Sequence, residues 1–272
     1  MSPRRSILRF CFVLITVIAV LSSGQRPVLS ATNLVFTVNS TQDLNDFAVG
    51  NSVCSANQVV DGPCTLRAAI TEANANIGTP NQNIIIELPA GEYYLTIPPN
   101  YFTVPPNDNL TGDLNIKSFG VTNTNSITIE RMGGGQAIIK SAIEDRILSV
   151  DTNAKVFIKN LTVRDGNVFL DTNNVNGGGA IWNRGNLYLN GVSLLSNTVS
   201  CRNGTGCASS GGAIENWGNV TLQDSTLDGN TAFQGGAIYN GISSTNLTIT
   251  YSTLSNNHTS SLSNLNLRIK TY

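Results

Sequence analysis

The run Gly178-Gly179-Ala180-Ile181 returns as Gly211-Gly212-Ala213-Ile214 and again as Gly235-Gly236-Ala237-Ile238. An asparagine follows each copy at the same offset: Asn183, Asn216 and Asn240. Later in each unit comes a Leu-x-x-Asn step, from Leu194 to Asn197, Leu227 to Asn230 and Leu254 to Asn257. A short period of this kind means stacked units, none of which can bury its apolar face alone.

The apolar residues between these marks fall into columns. Val156, Leu187, Val220 and Leu247 share one, Ile158, Leu189, Leu222 and Ile249 the next, and Val163, Leu194, Leu227 and Leu254 a third. The first two columns alternate with polar residues, the period of a strand with one buried face. The step to the third column is five residues, so the alternation breaks and the chain must turn. Apolar residues do not recur three and four apart as a helical repeat requires, and β-branched and amide side chains dominate. The unit from Gly211 to Gln234 predicts one solenoid coil of three short strands and three corners. Coils stacked about 4.8 Å apart turn each column into a ladder of like on like, with the asparagine amides bonded along it. Gly-Gly ahead of Ala-Ile predicts a corner that needs positive φ or has no room for a side chain.

Departures from the period lie at corners. The excess between Asn197 and Gly211 holds Cys201-Arg202-Asn203-Gly204-Thr205-Gly206-Cys207, read as a loop pinned by its own disulfide. A smaller excess runs from Ile242 to Thr245. Upstream, Ile84-Ile85-Ile86, Tyr94-Leu95-Thr96-Ile97, Leu114-Asn115-Ile116 and Ile127-Thr128-Ile129 read as strands, with Pro98, Pro99, Pro105 and Pro106 marking a long loop. About seven coils are expected over 84–258. The residues 259–272 form a C-terminal tail, in which Leu265, Leu267 and Ile269 alternate with polar residues. It reads as an edge strand of a truncated product.

The N-terminus sets the compartment. Arg4, Arg5 and Arg9 precede an apolar run from Phe10 to Leu21, and small and polar residues follow. This is the order of a secretory signal, assigned to residues 1–30. The run is shorter than the roughly 20 residues that span a bilayer comfortably, so no stable span is expected after cleavage; a retained anchor is the alternative. The protein is read as secreted or held at the cell surface. Four of the five cysteines lie beyond the signal, and an even number in an exported chain argues for disulfides. Nearness in sequence favours Cys54–Cys64 and Cys201–Cys207. Neither spacing is that of a zinc site, and His258 is the single histidine. Only 12% of the residues are charged and the net charge is -1, so there is no basic field for nucleic acid.

A solenoid needs its first coil covered. Residues 31–83 are read as that cap: a strand at Val35–Val38, then a helix over Thr65–Ile77 with Leu66, Ala69, Ile70, Ala73 and Ile77 on one face. Thr65 is the N-cap, and Gly78 with Pro80 ends the helix. Cys64-Thr65-Leu66-Arg67-Ala68-Ala69-Ile70, preceded by Phe36-Thr37-Val38-Asn39-Ser40 and followed by Glu72-Ala73-Asn74-Ala75, resembles the CSLREA-domain family. Ala68 stands where that motif carries Glu. The GGAI and L-x-x-N units are similar to the GGA(I/L/V) and FxxN repeats of chlamydial polymorphic outer membrane proteins, with Leu for Phe. The resemblance covers nearly all of the chain beyond the signal. It implies a right-handed parallel β-helix and surface or adhesin-like roles without a common catalytic set. The expected fold is therefore all-β, a pectin-lyase-like right-handed parallel solenoid with a short N-terminal helical cap.

The same fold also serves polygalacturonases and pectate lyases. Of the polygalacturonase motifs only Arg268-Ile269-Lys270 is matched, and the paired acids that glycoside hydrolysis needs are missing. The candidate acids Asp145, Asp151, Asp165, Asp224 and Asp228 are scattered over different columns, and Asp165 and Asp228 stand next to Gly and Asn, the composition of turns. Glu215, which replaces Trp182 and Tyr239 in its column, reads as solvent-facing; Trp182 and Tyr239 suggest a sugar-stacking surface. No catalytic, cofactor or metal residue is assigned. The chain is expected to be a non-catalytic, adhesin-like scaffold for a carbohydrate or protein ligand, with a carbohydrate-active enzyme or its inactive relative as the alternative.

Overall fold

The structure is a computed structural model that describes residues 32–56, 62–80, 82–100, 109–118, 125–170, 177–201, 210–241 and 245–259. The signal assigned to 1–30, the loop residues Pro105, Pro106 and Cys207, and the tail beyond 259 lie outside the described residues.

The chain enters through strand β1 (Thr32–Thr37) and helix α1 (Leu66–Asn76). Thr65 caps the helix by accepting from the Ala68 N–H at 3.1 Å, and a Cys54–Cys64 disulfide closes the loop before it. Six coils follow. The first is β2 (Gln82–Leu88), β3 (Gly91–Leu95) and β4 (Leu114–Ile116); the second is β5 (Ile127–Arg131), β6 (Ala137–Ser141) and β7 (Leu148–Val150). The third adds a strand: β8 (Lys155–Lys159), β9 (Thr162–Arg164), β10 (Asn167–Leu170) and β11 (Ile181–Asn183). The fourth is β12 (Asn186–Asn190), β13 (Ser193–Leu195), β14 (Thr198–Cys201) and β15 (Ile214–Asn216). The fifth is β16 (Asn219–Gln223), β17 (Thr226–Asp228), β18 (Thr231–Ala232) and β19 (Ile238–Asn240). The last is β20 (Asn246–Thr250), β21 (Thr253–Ser255) and β22 (His258–Thr259).

Equivalent strands of successive coils pair in parallel, giving a solenoid-like stack of sheets ordered β1-β2-β5-β8-β12-β16-β20, β3-β6-β9-β13-β17-β21, β10-β14-β18-β22 and β4-β7-β11-β15-β19. The registers place Val156, Leu187, Val220 and Leu247 in one column, and Ile158, Leu189, Leu222 and Ile249 in the next. Val163, Leu194, Leu227 and Leu254 make the third. These columns face inward, and their members in the middle coils are fully buried.

The structure differs from the three-strand reading in ways with clear causes. Residues 167–170, 198–201 and 231–232 pair as an additional sheet, because Val168, Leu170, Val199 and Ala232 form a second small apolar cluster apart from the main core. That cluster was masked in the sequence by the inserted loop beside Cys201. The seventh strand of the longest sheet is β1, which the sequence placed in the cap, so 84–258 holds six coils and not seven. Thr96 and Ile97 lie past the end of β3, where the Asp43 carboxylate accepts from both of their N–H groups, at 2.7 and 3.0 Å.

The corners follow from backbone chemistry. The break after the second column is a left-handed residue in each of the last four coils: Asn160, Gly191, Asp224 and Tyr251. The next corner repeats it with Asp165, Ser196, Gly229 and Asn256. The first glycine of each repeat has φ of +76°, +68° and +60° at Gly178, Gly211 and Gly235. The second glycines, Gly179, Gly212 and Gly236, lie so close to the backbone of the next coil that a Cβ would strike it.

Candidate functional site

Two sets of polar residues carry the chemistry of this stack. The first is inside it. Asn183 donates to the Asn216 amide oxygen and Asn216 to that of Asn240, each at 2.7 Å. Asn197 donates to Asn230 and Asn230 to Asn257, each at 2.9 Å. Asn183, Asn197, Asn216 and Asn230 are completely buried. Each amide also serves a corner: Asn183 Oδ1 accepts from the Gly185 N–H and Asn197 Oδ1 from the Gly166 N–H. These ladders are structural. Their role is to satisfy backbone groups that the corners remove from the sheets. Cys201 is disulfide-bonded, and the partner expected for it, Cys207, lies outside the described residues.

The second set lies on the outer face of the sheet β4-β7-β11-β15-β19. The register aligns Asn115, Ser149, Trp182, Glu215 and Tyr239 in one outward column. The residue after each strand continues the ladder: Asp151, Arg184, Trp217 and Gly241 each donate a backbone N–H to the preceding coil at 2.7–2.9 Å. Lys117, the residue after β4, heads this second column.

The two columns make a mixed aromatic and charged surface. The Arg184 guanidinium lies 4.3 Å from the Trp182 ring centroid and the Arg146 guanidinium 5.5 Å from it. Arg184 also pairs with Asp151. Trp217 is 42% exposed and tilts against Tyr239 with ring centroids 6.0 Å apart. Its indole rests over Gly241, where a Cβ would collide with the ring. Asn115, Ile116, Lys117, Ser149, Asp151 and Arg184 line a narrow cleft at the other end.

Glu215 does not face solvent. Its carboxylate is buried and accepts from the Gly177 N–H at 2.7 Å and the Ser210 hydroxyl at 2.6 Å. The outward direction is right, but backbone from the preceding corners folds over it. Asp145, one of the scattered acids, is also inside. It is buried beside Asp113, and its carboxylate accepts from the backbone N–H of Asp113 at 3.1 Å and of Arg146 at 2.8 Å. Burial, then repulsion from Asp113, raises Asp145 from its ordinary 3.8 to about 7. Asp113 in turn accepts from the Ser149 hydroxyl. Of the other candidates, Asp151 joins Arg184, and Asp165 and Asp224 hold left-handed corners. Asp228 is solvated, and bonds from Ser255 and Asn256 hold its carboxyl below the usual range.

The sequence reading gave no role to Arg67, which locks the cap to the first coil. It pairs with Asp43 at 2.6 Å, with both side chains essentially inaccessible. Its remaining N–H groups donate to Asp43 and to the carbonyls of Asn109, Gly112 and Asp113. The available signal was a cation beside Leu66, Ala68, Ala69 and Ile70, on the helix turn that the amphipathic pattern buries. Ala68, at the Glu position of the resembled motif, is fully buried.

Among the described residues no group of three or more His, Cys, Asp and Glu side chains could hold a metal ion, and no helix is long and apolar enough to cross a membrane. Comparison with family models, with curated proteins and with solved structures finds no match to this chain.

Proposed function

We propose that this protein is an exported right-handed parallel β-helix of the kind the CSLREA-like motif and the GGAI repeats resemble. It acts as a non-catalytic, adhesin-like binding scaffold. The parallel pairing of successive coils supports the handedness, because parallel crossover connections are right-handed in about 98% of cases. One observation carries the functional reading. The sheet β4-β7-β11-β15-β19 turns outward two pairs on neighbouring coils, Trp182 with Arg184 and the exposed Trp217 with Tyr239. Exposed aromatic side chains backed by a fixed sheet are what a binding surface needs and what a solubilising surface avoids.

Binding of the purified chain to whole cells, a glycan array and a panel of extracellular proteins tests the reading. Saturable binding that weakens when Trp217 is replaced by Ala is expected. Absence of binding to all three sinks it.

The Asp113–Asp145 pair favours a second reading, a carbohydrate-active enzyme, since a carboxyl raised to about 7 can donate a proton. Turnover of a polyuronide that disappears in Asp145→Asn would establish it in place of the first.

A further inference from the structure

The longest sheet ends in two bare edges. Its order runs from β1 to β20, and among the described residues no strand pairs with the far side of either. In a parallel sheet, successive residues of a strand direct their N–H and C=O groups to opposite neighbours. Val38 donates to the Glu87 carbonyl on the β2 side, so Val35 and Thr37 point away from β2. Asn246 donates to Gly218 and Thr250 accepts from Asp224, so Leu247 and Ile249 point away from β16. Unpaired edges of this kind are ordinarily blunted by charge or proline. Neither β1, Thr-Asn-Leu-Val-Phe-Thr, nor β20, Asn-Leu-Thr-Ile-Thr, contains either.

The two edges match each other. Every pairing between them is parallel, so β1 and β20 run in the same direction. Followed through these registers, Leu34 and Leu247 are the two ends of one inward column, and Phe36 and Ile249 are the ends of the next. A second copy whose β1 lies one strand spacing, about 4.8 Å, beyond β20 continues both columns in the register already used throughout the sheet. Its Val35 and Thr37 then face Leu247 and Ile249, backbone donor to backbone acceptor. The contact also gives cover where the stack lacks it, since Leu247, Ile249 and Leu254 are only partly buried. The incoming end is apolar as well: Val35, Phe47, Val49 and Val53 of the cap are each at least 46% exposed. A cap that only sealed its own stack would hide them.

We propose that the free edge of β20 is a docking surface for a second copy of this chain, whose β1 adds to it as the next parallel strand. The docking continues the β16–β20 interface from one molecule into another. Head and tail are different surfaces, so each added copy presents a fresh β20 and growth does not close on itself. The inference rests on the exported reading in one respect: residues 1–30, which lead directly into β1, must have been removed.

Sedimentation velocity of the exported chain over a concentration series tests this, and its intact mass shows separately whether residues 1–30 are gone. Average mass should rise with concentration and pass beyond the dimer. Added salt should change it little, because neither edge strand is charged. Amides of Val35, Thr37, Leu247 and Ile249 should gain exchange protection as the concentration rises, while those of β12 stay as they are. Val35→Pro removes an N–H from the free edge and leaves the β2 side of the strand intact. It should weaken association by at least about tenfold. Mixed with the parent it should shorten the assemblies, since its β20 still takes up a parent β1 that could otherwise extend another chain; a misfolded variant could not do this. The proposal is overturned by a parent that stays monomeric or stops at a dimer. It is overturned equally by a Val35→Pro chain that assembles as the parent does or leaves parent assemblies unchanged. If a monomeric parent assembles once residues 260–272 are deleted, that segment occupies the edge of β20 and the second copy is ruled out.

Discussion

Asp145 shows how a single side chain departs from what its neighbours in sequence suggest. Glu144-Asp145-Arg146 is a run of three charged residues, yet packing against Asp113 takes the Asp145 carboxyl out of water. Its pKa rises from 3.8 to about 7, so in that window the folded state holds a proton that the unfolded chain releases. The group's contribution to stability is whole below pH 3.8, and is lost as pH rises through about 7. Urea unfolding across this range should show stability declining with pH, and Asp145→Asn should remove that slope whatever its absolute stability. An identical slope in the variant would place the titration elsewhere. The inward columns, by contrast, were legible, since strict alternation leaves little choice of face. Leu222 is fully buried between Leu189 and Ile249, whereas Gln223 is exposed. Leu222→Asp should cost several kcal/mol in the same assay and Gln223→Asp almost nothing. Equal costs would contradict the register. Glu215 marks the limit of such reading: alternation gives its direction, but only the three-dimensional path of the corners reveals the backbone that covers it.

At the scale of elements, the repeats exposed the ladders because each asparagine recurs at one offset and has the same task in every coil. Asn216 bridges Asn183 and Asn240 while its Oδ1 also accepts from the Gly218 N–H. Asn216→Leu therefore strands several buried polar groups at once, and should cost about 2–4 kcal/mol by urea unfolding. Asn190→Ala, at an exposed strand end, should cost less than about 0.5 kcal/mol. The extra strands β10, β14, β18 and β22 escaped detection because two of them are only two residues long and they adjoin irregular insertions. The cap was legible as an amphipathic helix, but its attachment was not. The partners of Arg67 come from Asp43 and from residues 109–113, distant segments that no local pattern brings together. Arg67→Met leaves the Asp43 carboxylate buried with its charge unmatched, and should cost about 3–5 kcal/mol. Hydrogen exchange should accelerate first in α1 and β1; uniform acceleration in the last coils would mean that the pair does not hold the cap.

The described coils form a one-dimensional array, in which each coil is stabilised chiefly by its neighbours. Burial follows from that. Leu187, Leu189 and Leu194 of the fourth coil are almost wholly covered, and so are Val220, Leu222 and Leu227 of the fifth. Their counterparts Leu247, Ile249 and Leu254 in β20 and β21 are only partly buried, since among the described residues no strand pairs with the far side of these strands. At the other end, β1, α1 and the Cys54–Cys64 loop provide cover, and closing that loop by the disulfide contributes about 3 kcal/mol in the chain-entropy account. The repeat alone could announce the array but not this asymmetry, which depends on what each end packs against. Native-state hydrogen exchange should therefore be graded. Amides of β12 and β16 should open only with global unfolding, and those of β20 and β21 at lower free energy, through local loss of the last coil. Reduction of Cys54–Cys64 should raise exchange in β1 and α1 while leaving β20 unchanged, because several coils separate the two regions. Protection that is uniform from β2 to β21, or a response of β20 as large as that of β1, would show a single cooperative unit in place of a nearest-neighbour array.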